Sequence, residues 1–221
     1  MSAPMANDLV FQCRCGSVAG VLHDASARTG LRYVCHCDDC QAYAHHLGRA
    51  DMLDPAGGTA AYQTNASRLR ITRGLDKLAS MKVAKLAMRP ALRWYAACCS
   101  TPLFATFDTG QRSFFVLLLA NTDPKQADAL LGPSLGIVWR KFAAGDVSDR
   151  KDASIPAILW RMLTREMNAR LNGDWRNTPL FDPATGKPIA VPYQITPEER
   201  AKAEASIAKL SSSSAGPARA R

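Results

Sequence analysis

The chain has 221 residues, 28 Lys and Arg against 19 Asp and Glu, and a formal net charge of +9; it is 47% hydrophobic and 21% charged. These values exclude wholesale disorder, and a chain of this length can bury a core without disulfide staples. The longest uninterrupted apolar run, 114–120, is far short of the roughly 20 residues a membrane helix needs, and the start has no signal-peptide pattern, so a cytoplasmic protein with no membrane partner is expected. From the N-terminus, residues 9–13 and 17–22 read as strands around a turn at Gly16, and 31–35 alternates into a third. A loop at 54–58 precedes further strand signals at 68–72, 92–97 and 114–119, with turns at Gly74, Pro90 and Gly110. Many short strands so punctuated indicate antiparallel sheets rather than βαβ units.

Beyond residue 122 the pattern turns helical. Asp123 caps a short helix from Pro124 that stops at Gly132. Ser154 opens a longer one, ending at Gly173, with Ile155, Leu159, Met162, Leu163, Met167 and Leu171 on an apolar stripe and Arg161 and Arg165 turned outward. Thr196-Pro197-Glu198-Glu199 is a capping-box start for a last helix to about residue 210, and the serine-rich 211–221 reads as a disordered tail. The expected fold is mainly β with a C-terminal α-helical extension, α+β overall. Residues 1–122 form the β domain, and 123–210 pack on it through the apolar stripe.

Seven cysteines, without a secretion signal, fall into three tight groups: Cys13 and Cys15; Cys35, Cys37 and Cys40; Cys98 and Cys99. On a strand, Cys-x-Cys points both sulfurs to one side, so Cys13/Cys15 and Cys35/Cys37 are two-pronged ligands. A turn through Asp38 and Asp39 brings Cys40 back to the second pair. Three thiolates occupy three corners of a tetrahedron and leave the fourth open, the arrangement of a catalytic zinc site rather than a closed structural one. Zn2+ is therefore the expected cofactor. His36 faces away from its neighbouring cysteines on a strand, and His45 and His46 fall on a short helix over 38–47. With Asp38 and Asp39, His36 completes the candidates for a general acid or base.

Gly132-Pro133-Ser134-Leu135-Gly136 matches the G-x-S-x-G nucleophile elbow, but a helix precedes it and all four histidines lie upstream, so it reads as a helix-stop loop. Residues 61–110 hold eight basic residues (among them Arg68, Lys82, Lys85, Arg89 and Arg93) against Asp76 and Asp108. This is either a solvated edge or an anion site, for nucleic acid or a carboxylate-bearing substrate.

Cys13-Arg14-Cys15-Gly16, Cys35-His36-Cys37-Asp38-Asp39-Cys40, and Arg93-Trp94-Tyr95 leading into Cys99-Ser100-Thr101-Pro102-Leu103 resemble the glutathione-dependent formaldehyde-activating enzyme and centromere protein V family over about residues 9 to 120. The resemblance implies a β-tent of antiparallel sheets, a structural zinc on the first and last cysteine pairs, and a second zinc on the middle triple that polarises a thiol adduct. It implies a carbon–sulfur lyase whose partner is a small, glutathione-like thiol or its adduct. The alternative is a non-catalytic zinc-stabilised module that binds nucleic acid or protein through 61–110. The sequence departs from the family pattern at the last pair. Ala96 stands where a cysteine is expected, Ser100 where glycine is, and Cys98 adjoins Cys99. Adjacent strand residues face opposite ways, so Cys98 could join Cys99 at one metal only through a distorted turn; the first site, at Cys13, Cys15 and Cys99, is expected to be weakened or absent, without the usual fourth sulfur.

Overall fold

Short alternating segments build two sheets in the computed structural model, which describes residues 6–83 and 91–214, with side chains to residue 208. A three-stranded antiparallel sheet holds β1 (Leu9–Gln12), β2 (Ala19–Leu22) and β5 (Leu69–Arg73). The larger sheet runs, edge to edge, β10 (Ile137–Val138), β3 (Leu31–Cys35), β4 (Thr59–Asn65), β9 (Phe114–Leu118), β8 (Thr101–Phe107), β7 (Ala91–Ala96), β6 (Leu78–Lys82) and β11 (Tyr193–Gln194). Its interior pairs are antiparallel, and only the two-residue edges β10 and β11 pair in parallel. Four α-helices are described: α1 (Asp38–His46), α2 (Pro124–Leu131), α3 (Ile155–Leu171) and α4 (Pro197–Ser214). The fold is α+β with a C-terminal helix.

Alternation sorts the two faces of the large sheet. In β7, Leu92, Trp94 and Ala96 are buried on one side while Ala91, Arg93 and Tyr95 take the other. The first face joins Tyr62, Phe104, Phe115 and Leu117 to Leu9, Phe11 and Leu22 of the small sheet in the main core. Phe11 meets Phe104 edge-on at 5.1 Å, and the Trp94 indole N–H donates to Thr106 Oγ1 at 2.9 Å. Strands β4 and β8 are covered on both faces, so their sequences do not alternate and carry no strand signal of the half-buried kind.

Two expectations for the helical region are corrected. Most of the apolar stripe of α3 faces solvent: Ile155, Leu159, Leu163, Met167 and Leu171 are exposed, as is Trp160 beside them, Met162 is half-buried, and Ala169 is the helix's one buried residue. Ile158 packs near Cys35, Cys37 and Val138, but most of the side turned to the sheet is polar. Arg161 donates to the Ala27 carbonyl, Arg165 to those of Thr29 and Gln63, and Arg170 to that of Gln111, while Glu166 accepts from the Ser113 amide. Loop and strand-end carbonyls are what the β region offers here, and guanidinium groups satisfy them. Helical spacing finds a stripe but not which side meets the body. The last helix also runs past 210 to Ser214, and residues 215–221 of the expected tail lie outside the described residues. Its capping box forms as read: Glu199 N donates to Thr196 Oγ1 at 3.2 Å, and Thr196 N to Glu199 Oε2 at 2.9 Å.

The G-x-S-x-G segment is the loop between α2 and β10. Gly136 has φ +122°, its carbonyl accepts from Val34 N at 3.0 Å, and a Cβ there would overlap the Lys151 carbonyl oxygen. Gly136→Ala is expected to cost about 2 kcal/mol, from a disfavoured φ and a backbone clash. A urea midpoint indistinguishable from wild type would contradict it.

Candidate metal centres and cavity

Cys35 ends β3, Cys37 is the N-cap of α1 and Cys40 lies in that helix's first turn. Strand end and helix start thereby present three sulfurs to one point. Cys40 N donates to Cys37 Sγ at 3.4 Å, Cys40 Sγ lies 4.0 Å from Cys35 Sγ, and all three sulfurs fall within 4.8 Å of one another. Tetrahedral zinc with Zn–S bonds of about 2.3 Å needs sulfurs about 3.8 Å apart, and Cys35 and Cys40 are near that separation. The thiols compete for protons. Hydrogen bonds from Cys35 and Cys37 hold Cys40 well below the ordinary thiol range. Cys35 is pushed well up by its contacts with Cys37 and Cys40 and by burial. Contact with Cys35 lowers Cys37, but Cys40 and burial outweigh it and leave it at about 11. Three thiols so close together can all ionise only beside a cation, and this soft donor set suits zinc.

The triple forms one wall of a cavity of about 210 Å³ on the face of the large sheet opposite the main core. Ala61, Ala91 and Ala105 on β4, β7 and β8 leave the space because their side chains are small. Phe107 and Phe114, rings 4.8 Å apart, also line it, as does Trp139, 46% exposed and so at the rim. Trp139 has φ +64°, an outlier for a bulky residue, fixed between the β10–β3 pairing and a 3-10 turn whose Phe142 N donates to its carbonyl at 3.0 Å. Among the described residues, four polar side chains line the cavity with the cysteines: Tyr33, Tyr43, Thr59 and Arg93. Burial pulls the Arg93 pKa down, but the negative charge of Cys40, Cys37, Asp39 and Cys35 outweighs this and holds it protonated. Burial, then the same three cysteines, raise the Tyr33 pKa far beyond the phenol range, so it stays a hydroxyl.

The first cluster corrects an expectation. Cys13, Cys15, Cys98 and Cys99 all lie within 4.8 Å of one another, with Cys13–Cys15 at 3.6 Å, Cys15–Cys98 at 3.4 Å and Cys98–Cys99 at 3.9 Å. The fourth sulfur is present. Strand β7 ends at Ala96 and residues 97–100 form a turn, so face alternation does not apply to the vicinal pair. Ser100 completes the turn with φ +52°, the left-handed region in which glycine is favoured. Val18 N donates to Cys13 Sγ at 3.3 Å, and Cys99 Sγ lies 3.0 Å from Thr101 Oγ1, which Arg49 holds at 2.8 Å.

The acid and base candidates lie elsewhere. His36 is buried with Nδ1 3.1 Å from the Ala56 carbonyl, and burial lowers its pKa. Asp39 and Asp38 receive the Arg200 guanidinium of α4 at 2.7 and 3.2 Å. Among the described residues none of the three lines the cavity, and no histidine joins either cluster. Tyr33, Arg93 and Trp139 are the cavity residues that sequence reasoning passed over. A basic residue between core positions on a strand was the available signal for Arg93. The basic stretch is otherwise divided: Arg68 pairs with Asp24 at 2.7 Å, Lys82 with Asp108 at 3.3 Å, and Lys85, Arg89 and the Pro90 turn lie outside the described residues.

Fold and site define an α+β protein with two cysteine clusters, each able to hold a metal ion. Residues 5–192 match the model of a family of unknown function, DUF6151, and the chain belongs to that family. No curated protein matches it. A crystal structure of a Rhodobacter sphaeroides protein is similar at 18% identity, covering 56% of this chain and 98% of that one, with a TM-score of 0.36. Among the described residues no helix is long and apolar enough to cross a membrane.

Proposed function

We infer that the protein is a zinc-dependent enzyme of carbon–sulfur lyase type, acting on a small thiol or its carbonyl adduct at Cys35, Cys37 and Cys40. The observation that carries this reading is the placement of the triple. Its three sulfurs open onto a cavity, whereas the four of the other cluster close on one another, as catalytic and structural zinc sites respectively do. Zinc on the triple would supply a Lewis-acid position where a thiol ionises near neutral pH. The chain's own residues do the rest. The apolar walls exclude water from the adduct. The Tyr33 hydroxyl, which cannot ionise there, donates a hydrogen bond to the adduct oxygen, and Arg93 balances the thiolate charge. Breaking the C–S bond of a hemithioacetal returns the sulfur electron pair to the thiol and regenerates the carbonyl; the hydroxyl proton leaves for the sulfur, so no oxidant or reductant is needed. The resemblance to formaldehyde-activating enzymes supports this class, and seven cysteines outside any disulfide suit a reducing compartment such as the cytoplasm.

The test is spectroscopic. Cobalt-substituted protein is expected to change its visible absorption when a thiol is added, and Cys37→Ser is expected to abolish that change. A spectrum indifferent to thiols would show that the triple has no open position.

A further inference from the structure

We propose that the cavity beside Cys35, Cys37 and Cys40 admits a compact apolar thiol of about one aromatic ring, or the adduct of one, and turns away peptide thiols such as glutathione. This deepens, and rests on, the reading of the triple as a metal site with one open position.

Size is the first argument. The cavity is about 210 Å³. An aliphatic and aromatic cavity of about 150 Å³ takes benzene, so a ring with a short substituent fills this one. A tripeptide is far larger. Chemistry is the second. Most of the described lining is apolar, with Ala61, Ala105, Val116, Phe107 and Phe114, and its polar side chains besides the cysteines (Tyr33, Tyr43, Thr59 and Arg93) are too few to pair every polar group of a tripeptide. Glutathione carries two carboxylates, an ammonium and two amides, and burying them unpaired is unfavourable.

Charge is the third argument. A divalent metal on three thiolates leaves one net negative charge, which the single positive charge of Arg93 offsets. Cysteines apart, Arg93 is the one charged side chain among the described lining residues. A thiol that enters as its thiolate already exceeds this balance by one negative charge, so a ligand with no further negative charge fits best. Ala61 of β4, Ala91 of β7 and Ala105 of β8 line this face, and a larger side chain at any of them would take volume from the ligand.

Calorimetry on the full-length zinc-loaded protein tests this with three probes: phenylmethanethiol, toluene and glutathione. Phenylmethanethiol is expected to bind at least about tenfold more tightly than glutathione, with toluene binding measurably but more weakly than the thiol. Ala105→Leu, checked for full zinc content and a cooperative melt, is expected to weaken both ring ligands by about tenfold or more. If that variant fails to fold, the ranking of the three probes on the wild type decides alone. Glutathione binding as tightly as phenylmethanethiol overturns the proposal. Toluene binding as tightly as phenylmethanethiol overturns the thiol preference and the open metal position, and leaves an apolar cavity. No binding of either ring ligand, while cobalt-substituted protein still responds to small thiols, overturns the cavity assignment and leaves the metal reading standing.

Discussion

Cys37→Ser is expected to lower the zinc content of the purified protein from about two per chain to about one, and Cys98→Ser to remove the other. The first loss follows from the geometry of the triple, where each sulfur would be one of three protein ligands among the described residues. Serine is a good N-cap, so α1 keeps its start and the effect isolates the lost ligand. The second loss tests the turn at residues 97–100, which brings Cys98 to 3.4 Å from Cys15. Structural zinc contributes on the order of 10 kcal/mol to folding, so Cys98→Ser is also expected to unfold cooperatively at a far lower temperature, if it folds at all. Elemental analysis and calorimetric melting read both effects. A protein purified without chelators that holds no zinc would defeat the metal assignment. One zinc per chain, lost on Cys37→Ser and indifferent to Cys98→Ser, would show that the four-sulfur cluster is a set of free thiols.

Arg200→Met should be the most damaging substitution outside the cysteines. The Arg200 side chain is 3% exposed and reaches Asp39 at 2.7 Å, Asp38 at 3.2 Å, Glu204 at 2.9 Å and the Val83 carbonyl at 3.0 Å. It fastens α4 to the first turn of α1, the turn that holds Cys40. Removing one side of a buried ion pair costs about 3–5 kcal/mol, and in a chain of this size that lowers the melting temperature by roughly 10 °C. Because the clamp adjoins Cys40, zinc at the triple should also dissociate faster from the variant. Exchange into a chelator reads that change, which a stability loss confined to α4 would not produce. A melting temperature within about 2 °C of wild type would show that α4 contributes little to the site.

The cysteine groups and the alternation of residues 9–35 and 91–96 were legible because they are local: sulfurs two residues apart on a strand share a side whatever the rest of the chain does. The same locality made the helix starts at Asp123, Ser154 and Thr196 readable, since a cap is set by residues within one turn. So too was the dismissal of the G-x-S-x-G match, which needed only the order of elements along the chain. The class of fold and the metal-ligand candidates were therefore in the sequence.

Tertiary structure alone decided the rest. Which side of α3 meets the sheet depends on the carbonyls that other loops present, and these come from residues 27 to 111, far from the helix in sequence. Strands β4 and β8 are buried on both faces, so no period marks them, and only their pairing places the alanines that open the cavity. Arg93 carried charge in a basic stretch until β7 set it in the lining of the triple's cavity. The fourth sulfur was misread because face alternation holds on strands, and the chain leaves β7 at Ala96. In the turn that follows, backbone dihedrals rather than residue parity direct Cys98 and Cys99 to one point, and those dihedrals are fixed by the hairpin joining β7 to β8.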